Sequence, residues 1–261
     1  MDKAIYAIGN GEVMVYGCHD EWNEVIGPVY TSGSMFSLKR TEQTEWTSER
    51  KYASSVWTHV SEFGRLIDFA SREYHCLVRK YEGSKMLTFK ISFFDNEAFD
   101  NSVLFGDGIK AYILRRKEGS SAYERYVSRE DKYLQILLRN GAYIDGDILY
   151  MPDGGEIVTV AKDGYDSLFA HAMEVKDIDS EKILASVKNE DDELFKRRMS
   201  RLPELRDHEM KDETLKAIDD VAMLIRAQQS VTGGVQAGHN YHLAYVRDEY
   251  GVFRGLLAMG M

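Results

Sequence analysis

The densest group of chemistry-bearing side chains in this 261-residue sequence is Gly238-His239-Asn240-Tyr241-His242-Leu243-Ala244-Tyr245-Val246-Arg247-Asp248. Asn240, Tyr241, Tyr245, Arg247 and Asp248 bring together flat ring faces, amide donors and acceptors, and a pair of opposite charges. Aromatic faces pack on C–H surfaces, and a guanidinium or carboxylate holds hydroxyls through charge-assisted hydrogen bonds. These are the groups with which proteins bind sugars. A simpler reading stands beside this one: Asp248 caps the helix that follows, where free N–H groups favour a carboxylate, and Arg247 is a surface charge. His239 and His242 are three residues apart and could share a metal ion, but no third ligand stands at a suitable spacing. Neither a metal nor any other cofactor is expected.

Other candidates are weaker. Asp20, Glu21 and Glu24 flank Trp22 and only loosely resemble a carbohydrate site. Trp22, Trp46 and Trp57 have no defining spacing, so they read as packing residues rather than a stacking platform. Asp191-Asp192-Glu193 reads as a solvated face. Cys18 and Cys76 lack metal-type spacing and do not make a disulfide framework; they read as two partly buried thiols, with a single bridge left open.

The elements that must position the C-terminal cluster differ along the chain. To about residue 175, short runs of Val, Ile, Tyr, Phe and Thr are bounded by Gly, Asn, Asp and Ser, the texture of strands and turns. Ala4–Ile8, Gly9-Asn10-Gly11 and Val13–Tyr16 read as a hairpin whose Asn-Gly step can take positive φ. In Met86–Phe94, Leu87, Phe89, Ile91 and Phe93 point one way and the polar residues the other, as in a strand with one buried face. Gln135–Leu138, Gly141–Ile144, Ile148–Met151 and Ile157–Ala161 follow closely, with Asn140-Gly141, Asp145-Gly146 and Asp153-Gly154 as turns. Closely spaced strands without helical patterns between them argue for an antiparallel sandwich. Beyond it, Ser180–Glu193 suits a short helix or connector. Asp212–Gln229 reads as a clear helix with Leu215, Ile218, Val221, Ala222 and Ile225 as its apolar stripe. A last helix from about Asp248 carries Val252, Phe253, Leu256 and Leu257 on one face. It reaches Met261 still amphipathic, which a truncated protein would show, although two helices against a complete sandwich can also find cover.

The bulk numbers agree with a folded, acidic protein. The chain is 44% hydrophobic with a formal net charge of -10. That balance lacks the positive footprint that nucleic acids or anionic membranes require. No run approaches the ~18 apolar residues of a membrane span. Met1–Tyr6 has no basic region followed by an apolar run, so no secretory leader is expected and the expected location is cytoplasmic.

Asn240-Tyr241, Tyr245 and Arg247-Asp248 before an apolar helix resemble the start of the (α/α)6 barrel in the glucoamylase-like glycoside hydrolases of family 15. The resemblance implies that Arg247 and Asp248 hold the hydroxyls of a terminal glucosyl unit and that Tyr241 lines the same subsite. Tyr245 stands where the family usually has Trp. Bacterial members run from an antiparallel supersandwich through a helical linker to the barrel. By that resemblance residues 1–176 are the antiparallel β-sandwich domain, 177–230 the helical linker and 231–261 the first segment of the (α/α)6 barrel, a mainly β fold class. Ile8-Gly9-Asn10-Gly11 and the stretch from Asn140-Gly141-Ala142-Tyr143 to Ile157-Val158 resemble parts of such sandwiches.

Inverting glycosidases need two carboxyl groups about 6.5–9.5 Å apart. In this family both are glutamates of the middle and late barrel, so no catalytic residue is assigned here. The expected partners are an oligosaccharide with a terminal α-linked glucose and the barrel region. Two other readings stay open: a stand-alone carbohydrate-binding sandwich acting through a concave sheet face or the Trp22 region, and a fragment of a sandwich-plus-barrel disaccharide phosphorylase.

Overall fold

The computed structural model describes residues 5–28, 33–116, 132–201, 212–236 and 246–258. Its strands are β1 (Ile5–Gly9), β2 (Met14–Cys18), β3 (Glu21–Ile26), β4 (Ser34–Arg40), β5 (Thr47–Arg50), β6 (Trp57–Ser61), β7 (Gly64–Ser71) and β8 (Cys76–Gly83). They continue as β9 (Leu87–Ser92), β10 (Glu97–Asp100), β11 (Lys110–Arg115), β12 (Lys132–Arg139), β13 (Tyr143–Asp145), β14 (Ile148–Met151) and β15 (Glu156–Asp163). Among the described residues four α-helices follow: α1 (Tyr165–Val175), α2 (Ser180–Arg201), α3 (Asp212–Gln228) and α4 (Val246–Ala258). The strands form a seven-stranded sheet, ordered β1-β2-β3-β4-β9-β14-β13, and an eight-stranded sheet, ordered β10-β11-β12-β15-β8-β7-β6-β5. The pairings are antiparallel. The chain is therefore a mainly β protein, an antiparallel sandwich followed by helices.

The alternation in β9 turns Phe89 and Ile91 into the space between the sheets and leaves Lys90 exposed. There they meet Trp22, Phe36, Leu38 and Leu149 of their own sheet and Leu66, Leu77, Leu134, Ile136 and Ile157 of the other. Each such fully buried side chain contributes about 1.5–3 kcal/mol. The eight-stranded sheet is covered on its outer face too. Phe69, Val78, Leu137, Val158 and Val160 pack there against Leu168, Ala172 and Val175 of α1 and Ile183, Leu184 and Val187 of α2. A strand buried on both faces reads as a continuous apolar run, and so Ile157–Ala161 has no polar alternation.

The structure corrects the strand boundary. Helix starts at Tyr165, so residues 165–175 are not strand, and the 22 residues of α2 make the first long helix. In α1 the buried stripe is Leu168, Ala172 and Val175 at spacings of four and three, short enough to merge with the preceding strand pattern. The face that α3 buries also differs from the apolar stripe read from sequence. Asp219, Ala222, Met223 and Ala227 are buried, whereas Leu215, Val221 and Leu224 are largely exposed. In α4, Leu256 is buried but Phe253 and Leu257 are exposed. Among the described residues no helix is long and apolar enough to cross a membrane.

One charged network lies inside the sandwich. The fully buried Asp68 accepts from Arg79 Nε at 2.8 Å and Nη2 at 2.6 Å, Tyr6 Oη at 2.9 Å and Trp22 Nε1 at 2.8 Å. Arg79 also donates to the Asp20 carbonyl at 2.7 Å and lies 4.5 Å from the centre of the Trp22 ring. A buried charge is tolerable only when paired and hydrogen-bonded on all sides. Tyr6 and Trp22 belong to one sheet and Asp68 and Arg79 to the other, so the network pins the two together.

Candidate functional site

The site is built from the β1–β2 hairpin outward. Asn10 Oδ1 accepts from the backbone N–H groups of Glu12 and Val13, each at 2.9 Å, and Gly11 takes φ +97°. This folded turn presents bare backbone to α3. A Cβ on Gly9 would lie 2.2 Å from the Ala227 carbonyl oxygen, and one on Gly11 would lie 2.7 Å from the Val231 nitrogen. Glycine is required at both positions by close approach, and Gly11 by its φ as well. Val231 N–H donates to the Gly11 carbonyl at 3.3 Å, which joins the segment after α3 to the hairpin.

Charged side chains fix α3 against the sandwich. Asp219 accepts from Arg50 at 2.8 Å, Arg198 of α2 at 2.9 Å and the Ala53 backbone N–H at 3.0 Å. This pull turns a carboxylate inward and rotates the helix away from the stripe that hydrophobicity alone would bury. Asp191 is buried as well, which overturns its reading as part of a solvated face; Asp192 and Glu193 are exposed. It accepts from Ser55 N at 2.7 Å, Ser55 Oγ at 3.0 Å and Arg226 of α3 at 3.2 Å. Burial raises the Asp191 carboxyl above its usual range despite those donors. Arg72 donates to the carbonyls of Arg226 at 2.8 Å and Gln229 at 3.2 Å, groups that a helix C-terminus otherwise leaves unpaired.

From the end of α3 the contacts lead to α4. Tyr16 Oη accepts from Gln228 Nε2 at 2.8 Å and donates to Gln236 Oε1 at 3.4 Å. Gln229 and Val235 form a two-residue antiparallel bridge. The Val235 N–H then donates to Glu249 Oε1 at 2.6 Å, in the first turn of α4. Arg247, Asp248 and Glu249 share that turn, where the unpaired N–H groups favour negative charge.

Of the four expected sugar-binding residues, Arg247 and Asp248 lie in α4, and the Asp248 side chain is exposed. The helix begins at Val246, so Asp248 stands inside its first turn and not at the cap. Tyr241 and Tyr245 lie outside the described residues, as do Asn240, His239 and His242. Glu249, which ties the turn to Val235 in the segment after α3, was missed from sequence; its only signal there is an acid beside Asp248.

Two other constellations are closed by their surroundings. Trp22 is fully buried and Trp46 nearly so, while Trp57 stacks on Tyr6 at 4.9 Å. The Trp22 region therefore presents no ring face to a sugar. Asp20 is also buried, paired with Arg40 at 3.1 Å, and its carboxyl is pushed up to about 6 by burial, which Arg40 and Arg79 only partly offset. Ser48, His59 and Asp68 form a serine–histidine–aspartate chain, with contacts of 2.8 and 3.3 Å. It does not activate Ser48, because the Asp68 charge is already matched by Arg79 and His59 is completely buried. Cys18 and Cys76 are free thiols, and burial pushes Cys76 up to about 12.

No protein-family model matches the chain, and no curated protein sequence does. Among solved structures it is similar to a bacterial glucoamylase whose structure was determined in complex with acarbose. The likeness has a TM-score of 0.60 at 12% sequence identity and covers 96% of this chain but 47% of that protein. What the chain shares with the glucoamylase is therefore its fold, an antiparallel sandwich followed by helices, over about half of the other protein's length.

Proposed function

We propose that this chain is the sandwich, linker and first barrel segment of a glycoside hydrolase that cleaves terminal α-glucosidic bonds with inversion. The observation that carries the reading is the glucoamylase-like fold across 96% of the chain, together with Arg247-Asp248 in the first turn of α4. In this reading Arg247 and Asp248 hold the hydroxyls of the terminal glucosyl unit, and Tyr241 and Tyr245 supply ring faces in the same subsite. The glycine hairpin, Asp219, Asp191 and Glu249 set where that turn stands relative to the sandwich. The general acid and general base are carboxyl groups of the remaining barrel, and water is the nucleophile.

The chain alone then contacts sugar without turning it over. Acid–base catalysis supplies about 10²–10⁴-fold, and neither member of the pair is assigned within residues 1–261. Incubation of the purified chain with maltose, malto-oligosaccharides and aryl α-glucosides is expected to release no glucose above background. Robust turnover abolished by one Asp or Glu substitution within the chain would overturn the reading.

A further inference from the structure

At the sheet edge farthest from α3 and α4, the β13–β14 hairpin carries a cross-strand pair, Tyr143 and Tyr150. Their rings stack with centroids 4.7 Å apart and planes 7° from parallel. Tyr150 has Thr88 of β9 as its other cross-strand neighbour, whereas β13 is the last strand of its sheet and Tyr143 has none beyond it. Beside Tyr143 opens a concavity of about 530 Å³, closed on the far side by the loop from Ser102 to Lys110. That volume falls within the usual range for small-molecule sites, roughly 300–1,000 Å³.

The wall chemistry is specific. Gly106, Gly108 and Gly141 all have positive φ, and a Cβ on Gly106 or Gly108 would meet no atom within 4 Å. The backbone path calls for glycine there, and it leaves main-chain amides uncovered. Asp107 and Lys110 are exposed at the rim, and neither side chain makes a hydrogen bond among the described residues. A ring face, bare amides, one carboxylate and one ammonium suit a ligand that is apolar on one face and hydroxylated at its edge. An apolar helix or strand would leave those charges unmatched.

We infer that this concavity is a second carbohydrate site, which takes a short α-glucan by stacking one pyranose ring on Tyr143 and bonding its hydroxyls to Asp107 and Lys110. That the glucan is α-linked rests on the proposed function. Six strand spacings of about 4.8 Å separate β13 from β1, so the site lies roughly 29 Å from the hairpin that seats α3. It holds the polymer, away from the subsite of Arg247 and Asp248.

The test is a titration of the whole, isotope-labelled chain with maltoheptaose, read at individual amides by NMR, with cellohexaose as the β-linked control. The Gly106, Gly108 and Gly141 amides are expected to shift saturably with maltoheptaose. The response is expected to weaken at least tenfold in Tyr143→Ala and to survive in Tyr143→Trp, with the amides of β12 and β15 unmoved in both variants. No shift, an undiminished response in Tyr143→Ala, or a response to cellohexaose alone would overturn the inference. The amides of Asp248 and Glu249 report separately on the α4 site, so the two readings fail independently.

Discussion

Asp68 lies between the two sheets and Asp219 lies between the sheets and α3, and both carboxylates are completely buried. Asp68 is surrounded by four side chains, Tyr6, Trp22, His59 and Arg79, all within the sandwich. Asp219 draws on Arg50 and Ala53 of the sandwich and on Arg198 of α2. The first makes one body of two sheets; the second tells a helix where to sit on that body. Burial costs are similar, but failure has different consequences: loss of the first releases the fold, and loss of the second moves the elements that lead to Arg247 and Asp248.

The largest effect is expected inside the sandwich. Asp68→Ala leaves Arg79 buried and uncompensated, which costs about 3–5 kcal/mol. Chemical denaturation should show it as a lowered midpoint for the whole sandwich. At the seam, Gly9→Ala drives a Cβ into the Ala227 carbonyl and is expected to cost about 1–3 kcal/mol. Hydrogen exchange should then quicken in α3 while β12 and β15 keep their protection. Equal loss in both would erase the distinction between core and seam.

Acid sharpens the comparison within the core itself. Burial alone would raise the Asp68 carboxyl, but the charge and hydrogen bonds of Arg79 outweigh it and hold the group well below the usual carboxylate range. Its stabilisation is present above the ordinary carboxylate pKa and is lost as pH falls towards the lowered native value. Asp20 has the opposite sign. Its native value of about 6 exceeds the ordinary 3.8, so the folded state binds the extra proton between those values. That contribution is complete below the ordinary value and is lost as pH rises through about 6. Asp20→Asn is expected to remove a stability decrease on the order of 2 kcal/mol between pH 4 and 7. Thermal melts across that window check it; an unchanged slope would show that Asp20 does not titrate there.

The smallest effect is expected at the far end of the seam. Glu249→Ala deprives the Val235 N–H of its acceptor, a loss of about 0.5–1.5 kcal/mol. Faster exchange of the Val235 amide with unchanged protection in β12 would place the effect in the segment before α4. Glu249→Gln keeps an acceptor and should restore most of the protection.

What was legible in the sequence was local. The β1–β2 hairpin, the one-faced strand β9 and the helix α3 announce themselves through turn residues and apolar periods of two or about 3.6. Tyr165–Val175 went unread because its buried stripe is three residues long and follows a strand that is apolar on both faces. The burial of Asp191 and Asp219 was not legible at all, since their donors are Ser55, Arg226, Arg50 and Arg198, far away along the chain. For the same reason the exposed side of α3 carries Leu215 and Val221, residues that periodicity assigns to the interior. Of the candidate site, the Arg247-Asp248 pair was visible as a motif, whereas its anchor through Glu249 depends on a turn that only the folded chain closes.

Asp248 is where sugar binding and helix stabilisation separate most cleanly. Asp248→Asn keeps a polar side chain in the first turn of α4 and should change stability only by the ~0.3–1 kcal/mol of a charge near a helix N-terminus. As a sugar ligand, the same carboxylate makes hydrogen bonds to hydroxyls that contribute roughly 1.5–3 kcal/mol. The decisive measurement compares wild type and Asp248→Asn in a fusion that supplies the catalytic barrel, by melting temperature and by α-glucoside hydrolysis. The account predicts a nearly unchanged melting temperature with hydrolysis reduced about 10- to 100-fold. Full activity in the variant would contradict it and leave Asp248 as a helix-stabilising charge.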